Sequence, residues 1–150
     1  VSFRRAVEGA PGLAGAYREG LQGLKGEHRG LVACDDPREL CGSVDLDGAV
    51  EAARPNDPRW DYGICRGGGR AGEVVWWVEV HPANGNHVAE VLRKLEWLKV
   101  YLNGSGGLGG LERRYRWIAT GAVAISPQSR QARLLSQAGL GMPKKRLKLG

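Results

Sequence analysis

The segment Glu73-Val-Val-Trp-Trp-Val-Glu79-Val-His81 constrains this chain more than any other. It is a nearly continuous run of β-branched and aromatic residues, the pattern of a strand buried on both faces. Such a strand needs neighbours, and the sequence offers them on both sides. Upstream, residues 59–65 alternate, with Trp60, Tyr62 and Ile64 on one face and Asp61 and Gly63 on the other, as a second strand would. The glycine-rich residues 67–72 read as the hairpin loop between the two. Downstream, Pro82 has no amide hydrogen to give a ladder and is expected to end the run. Over residues 86–102, Val88, Val91, Leu92, Leu95, Leu98 and Leu102 recur at helical spacing. Glu90 precedes Lys94 by four residues, which predicts a favourable pair along that helix, and Asn84 or Asn86 is placed to cap it.

The remaining segments complete the pattern. Residues 104–110 read as a flexible glycine loop, 115–125 as a strand, 128–138 as a helix stopping at Gly139 or Gly141, and 144–149 as a short edge strand guarded by lysines. Near the N-terminus Leu13, Ala16, Tyr17, Leu21 and Leu24 keep a helical spacing that Gly15, Gly20 and Gly23 weaken. Residues 31–33 suit a short strand or a buried turn. Residues 42–54 suit either a half-buried strand or a helix capped by Asp45 or Asp47. Strand–helix–strand returns imply an α/β (α+β) chain, a mixed central β-sheet flanked by helices. The expected organisation is one domain over 1–150, with a helical N-terminal part over about 1–41 and a core over about 42–150.

Charge and cysteine content bound the function. Twenty-two Lys and Arg against sixteen Asp and Glu leave a net charge of +6, the profile of a protein that meets polyanions. No apolar run approaches the roughly 18 residues of a membrane span, and no signal-peptide h-region follows Val1, so a cytoplasmic location with no membrane partner is expected. Cys34, Cys41 and Cys65 are odd in number and form no CxxC, which disfavours a disulfide framework or a four-thiolate zinc site. Small buried thiols are the expectation.

The chemistry concentrates where the central hairpin ends. Side chains alternate along a strand, so Glu79 and His81 project to one side, and the hairpin can bring Asp61 beside them. A carboxylate inside an apolar run is costly unless it is paired or metal-bound. Two carboxylates with a backbone carbonyl between them form a hard oxygen site suited to Mg²⁺ or Mn²⁺. The blander reading pairs Asp61 with Arg59 or Arg66. A zinc set of Glu79, His81 and His87 has no recognised spacing. Arg113, Arg114 and Arg116, and Lys144 and Lys145, either contact phosphates or form solvated faces.

Arg-Trp-Asp61-Tyr-Gly-Ile, the glycine loop, Val-Glu79-Val-His81 and the helix after them resemble the PD-(D/E)XK nuclease superfamily, the restriction-endonuclease-like fold. The resemblance covers roughly residues 45–149, and the separation of Asp61 from Glu79 is within the family's range. It implies that Asp61 and Glu79 ligate Mg²⁺ or Mn²⁺, that the Val80 carbonyl completes the shell, and that the activity is hydrolysis of phosphodiester bonds in DNA or RNA. An acid from the N-terminal part often joins such sites; Glu51, Asp45 and Asp47 are the candidates, with Glu39 a weaker one. A homodimer that cuts two strands also follows by analogy. One position departs from the pattern. His81 stands where the family usually has Lys, so either His81 acts as base or orienting group, or Lys94 reaches in from the helix, or the site is inactive. The inactive case implies a module that binds nucleic acid or a protein partner.

Overall fold

The computed structural model describes residues 2–69 and 72–150; Val1 and the loop residues Arg70 and Ala71 lie outside the described residues. The fold is α+β. Its elements in chain order are α1 (Phe3–Gly9), β1 (Arg18–Glu19), α2 (Gly26–Arg29), β2 (Val32–Cys34), β3 (Leu40–Asp45), α3 (Leu46–Val50), β4 (Tyr62–Gly69), β5 (Gly72–Asn84), α4 (Val88–Asn103), β6 (Glu112–Ala124), α5 (Arg130–Gln137) and β7 (Leu147–Leu149). The central sheet has five strands in the order β1-β3-β4-β5-β6. The β1–β3, β3–β4 and β4–β5 pairs are antiparallel, whereas β6 returns parallel to β5 after the α4 crossover. Strands β2 and β7 form a separate parallel pair.

The double-sided burial of β5 explains the layering. Trp77 and Val75 point to the face covered by α1, α3, α4 and α5, where Phe3, Leu46, Leu95 and Leu135 join them. Trp76 and Val78 point to the opposite face, with Tyr62, Ile64 and Ile118, and are covered by Leu24 and the β2–β7 pair. The two tryptophans therefore anchor opposite layers, as strand alternation requires. In α4 the buried residues are Val88, Val91, Leu95, Leu98 and Leu102, the stripe that the spacing predicts, with Leu92 only partly buried.

Several expectations are corrected. Residues 13–24 form turns and β1 in place of a helix; three glycines interrupt the stretch, and Gly15 and Gly20 take positive φ. Strand β4 starts at Tyr62 rather than Arg59, so Trp60 packs in the opposite cluster from Tyr62 and Ile64. The Asp61 carbonyl, caught by the amides of Leu46 (2.9 Å) and Asp47 (3.3 Å) at the start of α3, breaks the alternation. The glycines after Cys65 extend β4 to Gly69, which pairs with Gly72 across a bulge, so the loop is shorter than expected. Strand β5 runs through Pro82 to Asn84. Its last pair with β4 is Tyr62–Val78, so beyond it the only strand that β5 pairs with is β6, and a proline nitrogen can face the vacated side. Residues 40–50 are both of the readings left open, β3 followed by α3, with the Asp45 carboxylate capping α3 through the Gly48 amide (2.9 Å). The glycine loop after α4 is a 3₁₀ turn over Gly106–Gly110 that buries Leu108. Strand β6 begins three residues before the expected start, at Glu112, and only Leu147–Leu149 of the C-terminal segment pairs as a strand.

Candidate active site

The fold brings Asp61 and Glu79 together. The Asp61 amide donates to Glu79 Oε1 at 3.1 Å, and the Val80 amide donates to Asp61 Oδ2 at 2.9 Å. Two features of the chain fix this. The α3 amides hold the Asp61 carbonyl, and β4 begins at the next residue. The amide and carbonyl of one strand residue point to the same edge. The Val80 carbonyl therefore faces the Asp61 side too, past the end of the β4 ladder.

Glu79 is fully buried. Its Oε2 accepts a charge-assisted hydrogen bond from Lys94 Nζ on α4 and lies 3.4 Å from His81 Nδ1. His81 Nε2 lies 2.6 Å from Glu90 Oε2. The helical pair expected between Glu90 and Lys94 is therefore replaced. Each residue turns instead to the strand that α4 packs on, because the buried Glu79 and the half-buried His81 need partners more than two exposed side chains need each other. Lys94 thus brings an ammonium from α4 onto the buried Glu79 carboxylate.

The electrostatics follow from burial. Burial first, and then the charge of Glu79, push the Asp61 carboxyl up to about 7, against the pull of the Val80 amide. The hydrogen bond to Glu79 holds the His81 imidazole above its ordinary value. Burial alone would lower Lys94, but the charge and hydrogen bond of Glu79 outweigh it and raise the ammonium above its usual value. A neutral imidazole base at His81 is disfavoured by this arrangement; a cation bridging Glu79 and Glu90 is favoured.

A cleft of about 540 Å³ opens beside this cluster. Its cations are Arg59, Arg93 and Lys94, together with His81, and its acids are Asp47, Asp57 and Glu90. Arg59 pairs with Asp47 at 2.8 Å, not with Asp61, and Arg66 pairs with Glu39. Trp97 Nε1 donates to Asp57 at 2.9 Å and ties the loop before β4 to α4. Among the described residues no carboxylate pairs with Arg93, so its guanidinium is available to an anion in the cleft. Sequence reasoning missed Arg93 and Asp57. Arg93 neighbours Lys94 on a helix already singled out, and that adjacency was the available signal.

The other candidates are placed as follows. Asp47 lines the cleft, Asp45 is committed to capping α3, and Glu51 is exposed at the end of α3 and does not line the cleft. None of Arg113, Arg114, Arg116, Lys144 and Lys145 lines it either. Arg114 pairs with Glu112 at 3.1 Å. Arg116 lies over the Trp76 ring, on the face opposite Glu79, and shares with Lys144 a separate groove of about 630 Å³ that also carries Arg146 and Lys148. Lys145 lines a smaller hollow beside Leu31 and Ala119. The rings of His81 and His87 meet edge to face at 5.1 Å. Among the described residues one set of three metal-capable side chains has its ligand atoms within 4.8 Å of one another, and it is elsewhere: Cys41, Cys65 and Glu73.

Comparison with known proteins adds no relative: no protein-family model, no curated protein and no solved structure matches the chain. No described helix is long and apolar enough to cross a membrane.

Proposed function

We propose that the Asp61–Glu79 pair, beside the cleft that His81 and Lys94 line, is the site of a divalent-metal-dependent nuclease that hydrolyses phosphodiester bonds, built as in the PD-(D/E)XK superfamily. The observation that carries the reading is the convergence of Asp61 and Glu79 at the open end of β5, with the Lys94 ammonium on the second carboxylate. The strand arrangement supports it too. Three antiparallel strands, β3, β4 and β5, are followed by α4 and a parallel β6, the core order that the resemblance implies.

The donor set fits Mg²⁺ or Mn²⁺. Each carboxylate oxygen offers two lone pairs, so Glu79 and Asp61 retain acceptor capacity beyond the protein bonds they make. Without a metal ion, burial and then the charge of Glu79 keep the proton on Asp61 up to about pH 7. Asp61, Glu79 and the Val80 carbonyl would hold the ion. The ion would supply Lewis-acid polarisation and a water of lowered pKa. The protein residues do the rest. Lys94 fixes the Glu79 carboxylate and places positive charge where charge builds on the scissile phosphate. His81 is held between Glu79 and Glu90, which orients it as a donor. Arg93 and Arg59 flank the cleft and can receive the neighbouring phosphates of DNA or RNA. The groove of Arg116 and Lys144 would add sequence-independent affinity on the far face.

One observation favours a second reading. Both Glu79 oxygens already accept protein hydrogen bonds, as they would in an inactive module that only binds nucleic acid or a partner protein. Incubating plasmid DNA and single-stranded RNA with the protein and Mg²⁺ or Mn²⁺ decides between them. The nuclease reading expects cleavage that is lost in Glu79→Gln and in Lys94→Met. Salt-sensitive binding with no cleavage by the wild type refutes it in favour of the module.

A further inference from the structure

The cysteines carry an inference independent of the nuclease reading. Cys41, Cys65 and Glu73 lie on three adjacent strands, β3, β4 and β5, and all face the layer that holds α1. Cys65 pairs with Gly42, and a bulge between Leu40 and Gly42 leaves Cys41 unpaired in the ladder, which lets its side chain turn toward Cys65. The register that places Val75 opposite Cys65 puts Glu73 two residues along on the same face. One ligand atom from each of the three falls within 4.8 Å of the others.

Two further observations show a built site. The Phe3 amide donates to Glu73 Oε1 at 2.6 Å, the kind of outer contact that orients a ligating carboxylate. Gly67 supplies the space. A Cβ there would lie 2.9 Å from Cys41 Sγ and 3.6 Å from the Glu73 side chain, so any larger residue would fill the volume in which the three groups meet. Cys65 is fully buried, whereas Cys41 and Glu73 are partly exposed, so water can reach the cluster from one side.

We propose that Cys41, Cys65 and Glu73 bind one Zn²⁺, with two thiolates, one carboxylate oxygen and a water in tetrahedral arrangement. Two soft sulfur donors select zinc over the hard cations suited to Asp61 and Glu79. The ion would tie β3, β4 and β5 together beneath α1, reaching the helix through the Glu73–Phe3 bond. Both cysteines would bind as thiolates, so uptake of the metal releases thiol protons and weakens as pH falls.

The test uses the full chain, reduced and stripped of metal by a chelator, titrated with Co²⁺ and followed by the near-ultraviolet charge-transfer absorption of a thiolate–Co²⁺ bond. Zn²⁺ affinity is then measured by competition. The expected result is one equivalent of Co²⁺ with a thiolate band, displaced by Zn²⁺. Asp61→Asn should keep the band, which separates this site from the carboxylate pair. Cys41→Ser should lose it. Glu73→Gln should keep it while weakening Zn²⁺ about 10-fold or more. A reduced wild-type protein with no thiolate band overturns the proposal. So does a band of full strength in Cys41→Ser.

Discussion

Replacing Asp61 by Asn should make the metal-free protein more stable, and increasingly so as pH rises. The buried carboxyl is raised from 3.8 to about 7, so ionising it in the fold costs about 4 kcal/mol once the pH exceeds 7. The sign follows from proton counting. Between pH 3.8 and about 7 the folded state holds a proton that the unfolded chain has lost, so stability falls as pH rises through that window. Asparagine has no charge to lose, and its side-chain oxygen can still accept the Val80 amide that Asp61 Oδ2 now accepts at 2.9 Å. From pH 5 to pH 8 the advantage of Asp61→Asn should therefore widen by about 3 kcal/mol, or about 6–12 °C in Tm for a chain of this size. Thermal and urea unfolding in a chelator at the two pH values measures it. Adding Mg²⁺ should stabilise the wild type at pH 8 and leave the variant unchanged. An equal gap at both pH values, or a variant less stable than the wild type at pH 8, refutes the claim that Asp61 is held unfavourably between burial and Glu79.

Other perturbations follow from the same geometry. Lys94→Met removes the ammonium hydrogen-bonded to the buried Glu79 and should cost about 3–5 kcal/mol in urea unfolding, most of it recovered in the Lys94→Met/Glu79→Gln double variant. His81→Gln should reduce the pH dependence of stability. The imidazolium's contribution is fully present below its unfolded value of 6.5 and is lost as pH rises through its higher folded value, so the wild-type-minus-variant difference should shrink as pH rises past 6.5. Gly63→Ala places a Cβ 2.6 Å from Trp77 and should cost about 1–3 kcal/mol by the same assay, because the indole is packed between β4 and α4 and cannot retreat. Leu95→Ala removes a fully buried side chain from the α4 face and should cost about 2–5 kcal/mol.

The central hairpin and α4 were legible in the sequence because hydrophobic period and burial agree there. An apolar run with one acid in it has few other solutions than a central strand with a partnered carboxylate. The neighbourhood of Asp61 and Glu79 was legible for the same reason, since antiparallel pairing determines which residues meet. Competition between contacts was not legible. Glu90 and Lys94 look like a helix pair until the helix is docked, and docking offers each a buried partner on β5. Pro82 reads as a stop because pattern alone does not reveal that β4 has already ended on that side. The meeting of Cys41 with Cys65 depends on a one-residue bulge in β3, a local slip that leaves no trace in composition or period. Arg116 and Lys144 read as phosphate contacts or a solvated face, and charge alone does not say on which side of the sheet; strand parity puts Arg116 over Trp76, opposite Glu79.

The most direct measurement is a calorimetric titration of Mn²⁺ into the wild type and Asp61→Asn near pH 7, in two buffers of different ionisation enthalpy. The account predicts one Mn²⁺ bound by the wild type with release of a fraction of a proton from Asp61, and no binding by the variant. Absence of Mn²⁺ binding by the wild type, or equal binding by both proteins, would contradict it.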